Sequence, residues 1–365
     1  MNFNTQLQRK LFATVILNVF IAFVIIPFIG YSQQSIKPKP GRLAAIAHFP
    51  IGSAVGMRWL ERDSVMVSLL KSDFNSITAE NCMKPALIHP EQNRFNWTDA
   101  DKLAEFCEKY NFRLHGHTLI WHSQVPEWME KFQGDSTAFE AVFKDHIQTV
   151  ISRYKEQTKS WDVVNEAIAD NNGKWRKTFW LERLGKDYIA RAFRYAREAA
   201  PAVKLFYNDY SLESDSLKRK IALKMVDSFR KQGVPIDGIG LQMHIRVDHP
   251  SLKEIEETFT KFAQTGLLIH ISELDISFNE FKKEPRFKAF TPEMADRQKQ
   301  RYEDVVSAYN RIIPKNQQYG ITIWGFADKY NWIRPFFKQP DWPVVYDDSL
   351  QRKPAWYGFS NGLTK

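Results

Sequence analysis

The sequence predicts an α/β protein built as a single (β/α)8 TIM barrel, and three observations lead to this fold. Eight short runs of apolar, often β-branched or aromatic residues alternate with longer segments whose apolar residues recur every three or four positions. The chain has 365 residues, of which 44% are hydrophobic, so it can bury one large core. Beyond residue 41, no second linker rich in proline or glycine divides the chain. Eight successive strand–helix units are typical of this barrel.

The first 32 residues, 1–32, are predicted to be a signal peptide or an N-terminal membrane anchor. Arg9 and Lys10 precede an apolar stretch over residues 11–30, which is the layout of an export signal. This stretch is longer than most signal segments, and about 18 apolar residues can span a bilayer, so a retained anchor is the alternative. Pro27 and the small residues after it favour cleavage. We therefore expect export to the periplasm or out of the cell, with membrane contact only through this segment if it stays uncleaved.

Residues 33–41 form a predicted linker, because two prolines favour an extended backbone, and residues 42–365 then form one catalytic domain. The predicted strands cover residues 49–55, 76–79, 114–120, 160–164, 204–207, 238–243, 267–274 and 320–324. The helices predicted between them cover residues 99–110, 139–155, 187–199, 217–232, 252–262 and 292–313. In residues 188–196, for example, apolar side chains recur at helical spacing, as a helix packed on a sheet requires.

Composition excludes several classes of protein. The two cysteines, Cys82 and Cys107, are too few for a disulfide-stapled scaffold, and no C-x-x-C motif suggests zinc or redox chemistry. The net charge is +9, but basic residues are scattered among acidic ones along the chain. Because nucleic-acid binding needs a clustered basic patch, no nucleic-acid partner is expected.

Polar and aromatic residues crowd the carboxyl ends of seven predicted strands, which is where a barrel of this kind places its active site. In chain order, the candidate site residues are Glu80, Asn81, Lys84, His117, Trp121, Gln124, Asn165, Glu166, Tyr210, Gln242, His244, Glu273, Asp275, Trp324 and Trp332. Two carboxylates, Glu166 and Glu273, lie among amide, imidazole and indole groups without an obvious set of metal ligands. This combination suits glycoside cleavage, in which one acid protonates the leaving oxygen and the second carboxylate attacks or guides water.

Four motifs at these strand ends resemble glycoside hydrolase family 10, the retaining endo-β-1,4-xylanases. They read Thr-Ala-Glu-Asn-Cys-Met-Lys at 78–84, Gly-His-Thr-Leu-Ile-Trp-His-Ser-Gln at 116–124, Trp-Asp-Val-Val-Asn-Glu-Ala at 161–167 and Ser-Glu-Leu-Asp at 272–275. They occur in the family's order and at similar spacing, and the resemblance covers about residues 42–363. It implies an endo-1,4-β-xylanase that hydrolyses internal bonds of xylan and xylo-oligosaccharides by retaining double displacement, with no cofactor and no metal. We expect a monomer.

The resemblance also implies a role for each candidate residue. Glu166 is similar to the general acid/base and Glu273 to the nucleophile, and Asn165 to the residue that binds the sugar 2-hydroxyl. His244 would hold the nucleophile and Asp275 would orient His244, while Gln242 lies near the acid/base. The residues expected to bind sugars on the non-reducing side are Glu80, Asn81, Lys84, His117, Trp121 and Gln124. Trp324 and Trp332 resemble indoles that cover the cleavage point, and Tyr210 an aromatic on the leaving-group side.

Two local features qualify this expectation. Pro85 stands where a tryptophan often follows the lysine in the family, so affinity for longer chains is expected to be weaker. The loop over residues 277–291 is mildly basic. A solvated loop is the favoured interpretation, and a preference for acidic decorations on xylan is the alternative.

Three other functions remain open from the sequence. His115 and His117 lie on one face of a strand, so a metal-dependent hydrolase could use them with His244 and Asp328 as further ligands. A polysaccharide-binding barrel without catalysis is a second alternative, although the presence of both glutamates argues against it. A retaining β-glycosidase with another sugar preference is the third, since a fold alone does not determine the substrate.

Overall fold

The computed structural model describes residues 42–365, so the leader and linker predicted at residues 1–41 lie outside the described residues. Among residues 42–365, no helix is both long enough and apolar enough to cross a membrane. Cys82 and Cys107 are both buried, and neither forms a disulfide.

Eight parallel strands close into a barrel, which confirms the predicted fold class. Together with one short additional strand, β7, the strands are β1 (Ile51–Val55), β2 (Ser76–Ala79), β3 (Arg113–Trp121), β4 (Thr158–Asn165), β5 (Lys204–Asp209), β6 (Gly238–Leu241), β7 (His244–Arg246), β8 (Leu268–Ser277) and β9 (Gln318–Ile323). Neighbouring strands pair in chain order from β1 to β6; β6 pairs with β8, β8 with β9, and β9 with β1, which closes the ring. The three-residue β7 lies outside this ring and pairs with β8.

Helices fill the connections and cover the outside of the barrel. Their bounds are Leu43–Ile46, Met57–Leu60, Ser64–Asp73, Pro85–Ile88, Thr98–Tyr110, Glu127–Glu130, Ser136–Arg153, Phe179–Leu184, Tyr188–Ala199, Ser216–Lys231, Leu252–Ala263, Pro292–Ile312, Ile333–Phe337 and Pro354–Leu363, with 3-10 turns at Lys315–Gln317 and Asp328–Tyr330. All six predicted helices are present with ends shifted by at most a few residues. Side-chain caps begin several of them; Ser251 and Glu254, for example, form a capping box at the start of Leu252–Ala263.

The barrel interior contains polar and aromatic side chains as well as aliphatic ones. His115 on β3 lies 5.0 Å from His270 on β8, and Phe206 on β5 lies 4.6 Å from Tyr319 on β9, measured between ring centroids. These strands are not neighbours in the sheet, so the rings must meet across the interior. The interior is therefore packed, and the open end of the barrel is left for the polar strand ends.

The predicted sixth strand differs from the observed one. The observed strand ends at Leu241, whereas the predicted strand continues to residue 243. It ends there because Met243 takes a left-handed backbone with φ of 60°. The chain then resumes as β7, where His244 pairs in register with Asp275 of β8. This bend places the imidazole of His244 beside the carboxyl end of β8.

Candidate active site

The strand register brings the two central motifs together at the carboxyl end of the barrel. Trp121 at the end of β3 pairs with Asn165 at the end of β4, and Asn165 pairs with Asn208 on β5. Glu166 follows Asn165 directly, and its backbone N–H donates to the carbonyl oxygen of Asn208 at 2.9 Å. Glu273 lies on β8, where its own N–H donates to the carbonyl oxygen of Gln242 at 3.0 Å.

The carboxylate of Glu166 accepts three hydrogen bonds from neutral groups. Trp121 Nε1 donates to Oε2 at 2.8 Å, and Gln242 Nε2 and Asn165 Nδ2 donate to Oε1 at 3.0 and 3.2 Å. His122 Nδ1 lies 3.7 Å from Oε2, beyond hydrogen-bond distance. Burial lowers the pKa of His122, although the charge of Glu166 opposes this shift. Glu166 therefore lies in a buried pocket lined by an indole and two amides.

The carboxylate of Glu273 has a different environment, because one of its partners is a charged histidine. Asn208 Nδ2 donates to Oε1 at 2.7 Å, and His244 Nε2 lies 3.1 Å from Oε2. Burial by itself would raise the pKa of Glu273, but the hydrogen bond from His244 and the charges of His117 and His244 outweigh burial and lower it. Glu273 is therefore held ionised.

His244 bridges two carboxylates. Its Nδ1 lies 2.8 Å from Asp275 Oδ2, and the same oxygen accepts a hydrogen bond from Trp332 Nε1 at 2.8 Å. Burial opposes protonation of His244, but Asp275 and Glu273 outweigh it and raise its pKa to about 10. Asp275 and Trp332 thus hold the imidazole of His244 towards Glu273.

Two asparagine side chains connect the glutamates. Asn208 Nδ2, which donates to Glu273, also donates to Asn165 Oδ1 at 2.9 Å, and Asn165 Nδ2 in turn donates to Glu166. Ser272 Oγ donates to Asn208 Oδ1 at 2.6 Å and fixes the orientation of that amide. This chain of hydrogen bonds, the amide bridge, places both glutamates in one site.

A lysine and two indoles form one wall of the site. Lys84 Nζ donates to Asn81 Oδ1 at 3.1 Å and lies 4.9 Å from the ring centroid of Trp121 and 5.9 Å from that of Trp324. Burial lowers the pKa of Lys84, and the negative charges of Glu273, Glu80 and Glu166 partly offset that effect. The lysine thus places a buried amine beside the carboxylates.

Glu80 and Gln124 occupy less central positions. A Cβ at Gly56 would come within 2.7 Å of Glu80 Oε2, so the glycine leaves room for this carboxylate. Burial raises the pKa of Glu80, and the charge of Lys84 partly offsets that rise. Gln124 is exposed, and its backbone carbonyl, not its side chain, makes a hydrogen bond, which it accepts from Ala86 N at 2.8 Å.

His117 is oriented by a buried aspartate. Its Nδ1 lies 2.8 Å from Asp162 Oδ2, and His115 Nε2 lies 3.0 Å from the same oxygen. The other side of the His117 ring faces Trp324 at 5.3 Å between centroids. Within residues 42–365, no group of three or more histidine, cysteine, aspartate or glutamate side chains is arranged to hold a metal ion, and Asp328 is paired with Lys353 at 2.9 Å. His115 and His117 thus share the carboxylate of Asp162.

Tyr210 lies on the side of the site next to the loop that follows β4. Its hydroxyl donates to Asp170 Oδ2 at 2.6 Å and accepts from Arg176 Nη2 at 2.7 Å. Lys218 Nζ lies 3.5 Å from its ring centroid. Asp170 and Arg176 thus engage the hydroxyl, and Lys218 lies over the ring.

Several residues of this arrangement were not among the candidates from sequence. Asn208, Asp162 and His122 are held in or beside the site, and Arg176 supports both Tyr210 and the backbone carbonyl of Glu166, to which its Nε donates at 2.9 Å. Asn208 stands in the same polar strand end as Tyr210, so position could have suggested it. Nothing local in the sequence marks Arg176, because its role depends on how the loop folds back.

Known proteins resemble this chain over nearly the whole described region. The sequence profile described as Glycosyl hydrolase family 10 matches residues 42–361. Endo-1,4-beta-xylanase B of Paenibacillus barcinonensis is 38% identical over 317 residues, covering 85% of this chain and 94% of the relative. An endo-1,4-beta-xylanase of Geobacillus stearothermophilus is 39% identical over 322 residues, covering 86% of this chain and 95% of the relative.

A solved structure gives the same result. Xylanase 10C of Cellvibrio japonicus, in complex with xylopentaose, superposes with a TM-score of 0.86 at 35% sequence identity, covering 89% of this chain and 69% of that one. Profile, relatives and architecture agree across the described residues. The chain therefore belongs to glycosyl hydrolase family 10 and is a glycoside hydrolase.

Proposed function

We propose that the protein is an endo-1,4-β-xylanase that hydrolyses internal bonds of xylan and xylo-oligosaccharides. Two observations from relatives support this substrate: those compared above are named endo-1,4-beta-xylanases, and the solved neighbour is a complex with xylopentaose. The buried lysine, amides and indoles around the glutamates suit it as well. Amide and ammonium groups can bind sugar hydroxyls, and indole faces pack against the C–H faces of sugar rings.

The reaction in this proposal is a retaining double displacement, with Glu166 as acid/base and Glu273 as nucleophile. The observation that carries it is the amide bridge, which holds both glutamates in one site. Glu273 also faces His244, whose hydrogen bond and charge lower the pKa of the glutamate and keep it ionised, as a nucleophile requires. Glu166 would protonate the leaving oxygen while Glu273 attacks the anomeric carbon, and Glu166 would then take a proton from the water that hydrolyses the glycosyl-enzyme.

Other residues are proposed to position the sugars. Asn165, already held between Asn208 and Glu166, would bind the 2-hydroxyl, a contact that strengthens in the transition state. Because its hydroxyl is used by Asp170 and Arg176, Tyr210 would offer its ring to the leaving-group sugar. On the opposite, non-reducing side we place Glu80, Asn81, Lys84, His117, Trp121 and Gln124, with Trp324 and Trp332 covering the cleavage point.

Replacing the nucleophile tests the assignment directly. We expect Glu273→Gln to lower kcat on xylan by about 10⁴-fold or more, because the amide cannot form the glycosyl-enzyme. Circular dichroism and xylo-oligosaccharide binding should stay close to those of the wild type. Glu105→Gln, the same change at an exposed position on helix Thr98–Tyr110, is the matched control and should retain full activity. Undiminished turnover by Glu273→Gln would refute the role of this residue.

The stereochemistry of the product tests the mechanism separately. Double displacement releases the sugar with the β configuration that the bond had, and proton NMR early in hydrolysis should detect the β-anomer first. The two carboxyl groups are expected to lie about 5–5.5 Å apart. Initial release of the α-anomer would indicate inversion and would require another role for Glu273.

We also propose that residues 1–32 direct export, that 33–41 link this segment to the catalytic domain over 42–365, and that the enzyme is a monomer. The basic and apolar pattern of the leader supports export. Mass spectrometry of the exported protein distinguishes a cleaved signal from a retained anchor. Light scattering during size-exclusion chromatography measures the oligomeric state.

A further inference from the structure

A group of four aromatic side chains extends outward from the proposed active site. Phe281, in the loop after β8, stacks on Phe337 with ring centroids 4.2 Å apart and an interplanar angle of 5°. Trp332 lies 5.6 Å from Phe337 and 5.7 Å from Phe336. We call Phe281, Trp332, Phe336 and Phe337 the aromatic platform. Trp332 connects it to the site, because its Nε1 binds the aspartate that orients His244.

The outer part of this platform is open to solvent. Phe336 is 69% exposed, which is the highest exposure of any large hydrophobic side chain in residues 42–365. An exposed phenylalanine ring that continues an aromatic cluster offers a flat apolar face on which a sugar ring can pack. Through Trp332 this ring is continuous with the proposed active site, so a xylan chain bound in that site would lie close to it.

The platform also carries a surplus of positive charge. Lys282 follows Phe281 and Lys338 follows Phe337, so the stacked rings bring the two chain segments that carry these lysines together. Both lysines are exposed, and neither forms a salt bridge within the described residues. Arg286 and Lys288 in the same loop are also without a salt bridge there, whereas the nearby Lys283 is paired with Glu280 at 2.6 Å. Among the acidic residues of this loop, Glu284 also forms no salt bridge within the described residues.

We propose that the aromatic platform and its two lysines bind carboxylate-bearing side groups of the substrate, such as the uronic-acid units of an acidic xylan. In this arrangement Phe336 packs on the ring of the substituent or its neighbouring xylose, while Lys282 and Lys338 attract the carboxylate. The inference rests on the proposed xylanase function and assigns it a preference among xylans. For the basic loop over residues 277–291, the inference favours a preference for acidic decorations on xylan over a merely solvated loop. The reason is that the structure places an exposed ring, Phe336, and a second lysine, Lys338, from another part of the chain beside this loop.

The test compares an acidic glucuronoxylan with linear, unsubstituted xylohexaose. The double substitution Lys282→Gln and Lys338→Gln should raise KM for glucuronoxylan about fivefold with little change in kcat, as expected for losing two exposed charge contacts. Activity on xylohexaose should change less than twofold. At about 1 M salt, where charges are screened beyond about 3 Å, the difference between wild type and variant should disappear. Phe336→Ala should also raise KM for glucuronoxylan, but independently of salt.

The matched control is the double substitution Lys220→Gln and Lys224→Gln, which removes the same charge from exposed positions on helix Ser216–Lys231. It should leave KM for glucuronoxylan unchanged. Equal effects of the two double variants, or no effect of the first, would overturn the inference while leaving the xylanase assignment intact. A wild-type enzyme that fails to hydrolyse xylohexaose would instead overturn the proposed function, and the inference with it.

Discussion

At the scale of single residues, two identical side chains acquire different properties from their neighbours. Glu166 is surrounded by an indole and two amides, whereas Glu273 faces a charged imidazole that Asp275 keeps protonated. The backbone contributes as well, because Glu166 has a φ of 58°, a left-handed conformation that costs a non-glycine residue about 1–3 kcal/mol. A hydrogen bond from Arg176 Nε to its carbonyl oxygen helps to hold this conformation.

Removing the imidazole should change the pH dependence of catalysis. His244→Gln removes the cation that lowers the pKa of Glu273, so the nucleophile should become protonated at a higher pH. The acid limb of the kcat/KM profile should therefore move to higher pH, together with a loss of activity at the optimum. Because the pKa of His244 is raised to about 10, the imidazole itself should not limit activity at neutral pH.

The same change at an exposed histidine, His249→Gln, is the control for this experiment. Its pH profile should match the wild type. An acid limb that stays in place in His244→Gln would show that burial and Asn208 suffice to set the pKa of the nucleophile.

At the scale of elements, the outer helices depend on close backbone packing that leaves no room for side chains. A Cβ at Gly358 would lie 2.0 Å from the carbonyl oxygen of Lys299, and one at Gly362 would lie 2.8 Å from that of Glu303. The two glycines are four residues apart, so they share one face of helix Pro354–Leu363. They allow this terminal helix to lie directly against helix Pro292–Ile312.

Filling this contact should destabilise the barrel without touching the active site. Gly358→Leu should reduce the free energy of unfolding by about 1–3 kcal/mol or more, because the side chain would force the helices apart. The melting temperature should fall by several degrees, since each kcal/mol corresponds to about 2–4 °C for a large domain. Tyr357→Leu, at the neighbouring exposed position, is the control and should melt close to the wild type. Equal melting temperatures for the two variants would contradict the close contact.

At the scale of the whole molecule, buried titratable groups couple folding to pH. His89 and His146 are buried against each other with their Nδ1 atoms 3.1 Å apart, and His146 Nε2 lies 3.0 Å from the carbonyl oxygen of Leu119. Burial lowers the pKa of His89 to about 3 and that of His146 to about 4, and their mutual proximity adds to the shift for His89. The folded protein therefore keeps both rings neutral, whereas the unfolded chain protonates them near pH 6.5.

Stability linked to this pair should be present above about pH 6.5 and decline as the pH falls towards 4. When the pH falls from 7 to 5, each histidine should lower the free energy of unfolding by about 2 kcal/mol. This follows because a proton bound only by the unfolded chain contributes about 1.4 kcal/mol for each pH unit below its pKa. Buried carboxyls such as Asp328, whose pKa burial raises to about 6 despite Lys353, act in the opposite direction over part of this range. The contribution of one histidine is therefore measured by comparing the pH dependence of the free energy of unfolding between the wild type and a variant that lacks this histidine.

His89→Phe provides that comparison, because it removes one titrating ring while keeping an aromatic side chain against Phe95. Urea unfolding at pH 7 and pH 5 should show a free energy of unfolding that falls by about 2 kcal/mol less in the variant than in the wild type. His249→Phe, at an exposed histidine, should leave the wild-type slope unchanged. Identical slopes in all three proteins would show that His89 does not titrate with folding.

The sequence by itself determined the barrel and the end at which its polar side chains gather. Parallel strands buried on both faces read as short apolar runs, and amphipathic helices show a period near 3.6, so both kinds of element leave local signals. Where the signal was weak, elements were missed. Helix Ser64–Asp73 presents Val65 to solvent, 54% exposed, which blurs its apolar face, and helix Pro354–Leu363 contains two glycines that disfavour a helix. That Glu166 and Glu273 lie close together could be predicted because the carboxyl ends of parallel strands meet at one rim.

Only the tertiary structure decided how these groups act on one another. Asn208 joins the two glutamates because the register of β4 and β5 sets it beside Asn165, and register between distant segments leaves no mark in either one. The left-handed bend at Met243 is what turns His244 towards Glu273 and Asp275. Charges and hydrogen bonds act through space over a few ångströms, so the ionisation of a side chain depends on neighbours that the order of residues does not reveal.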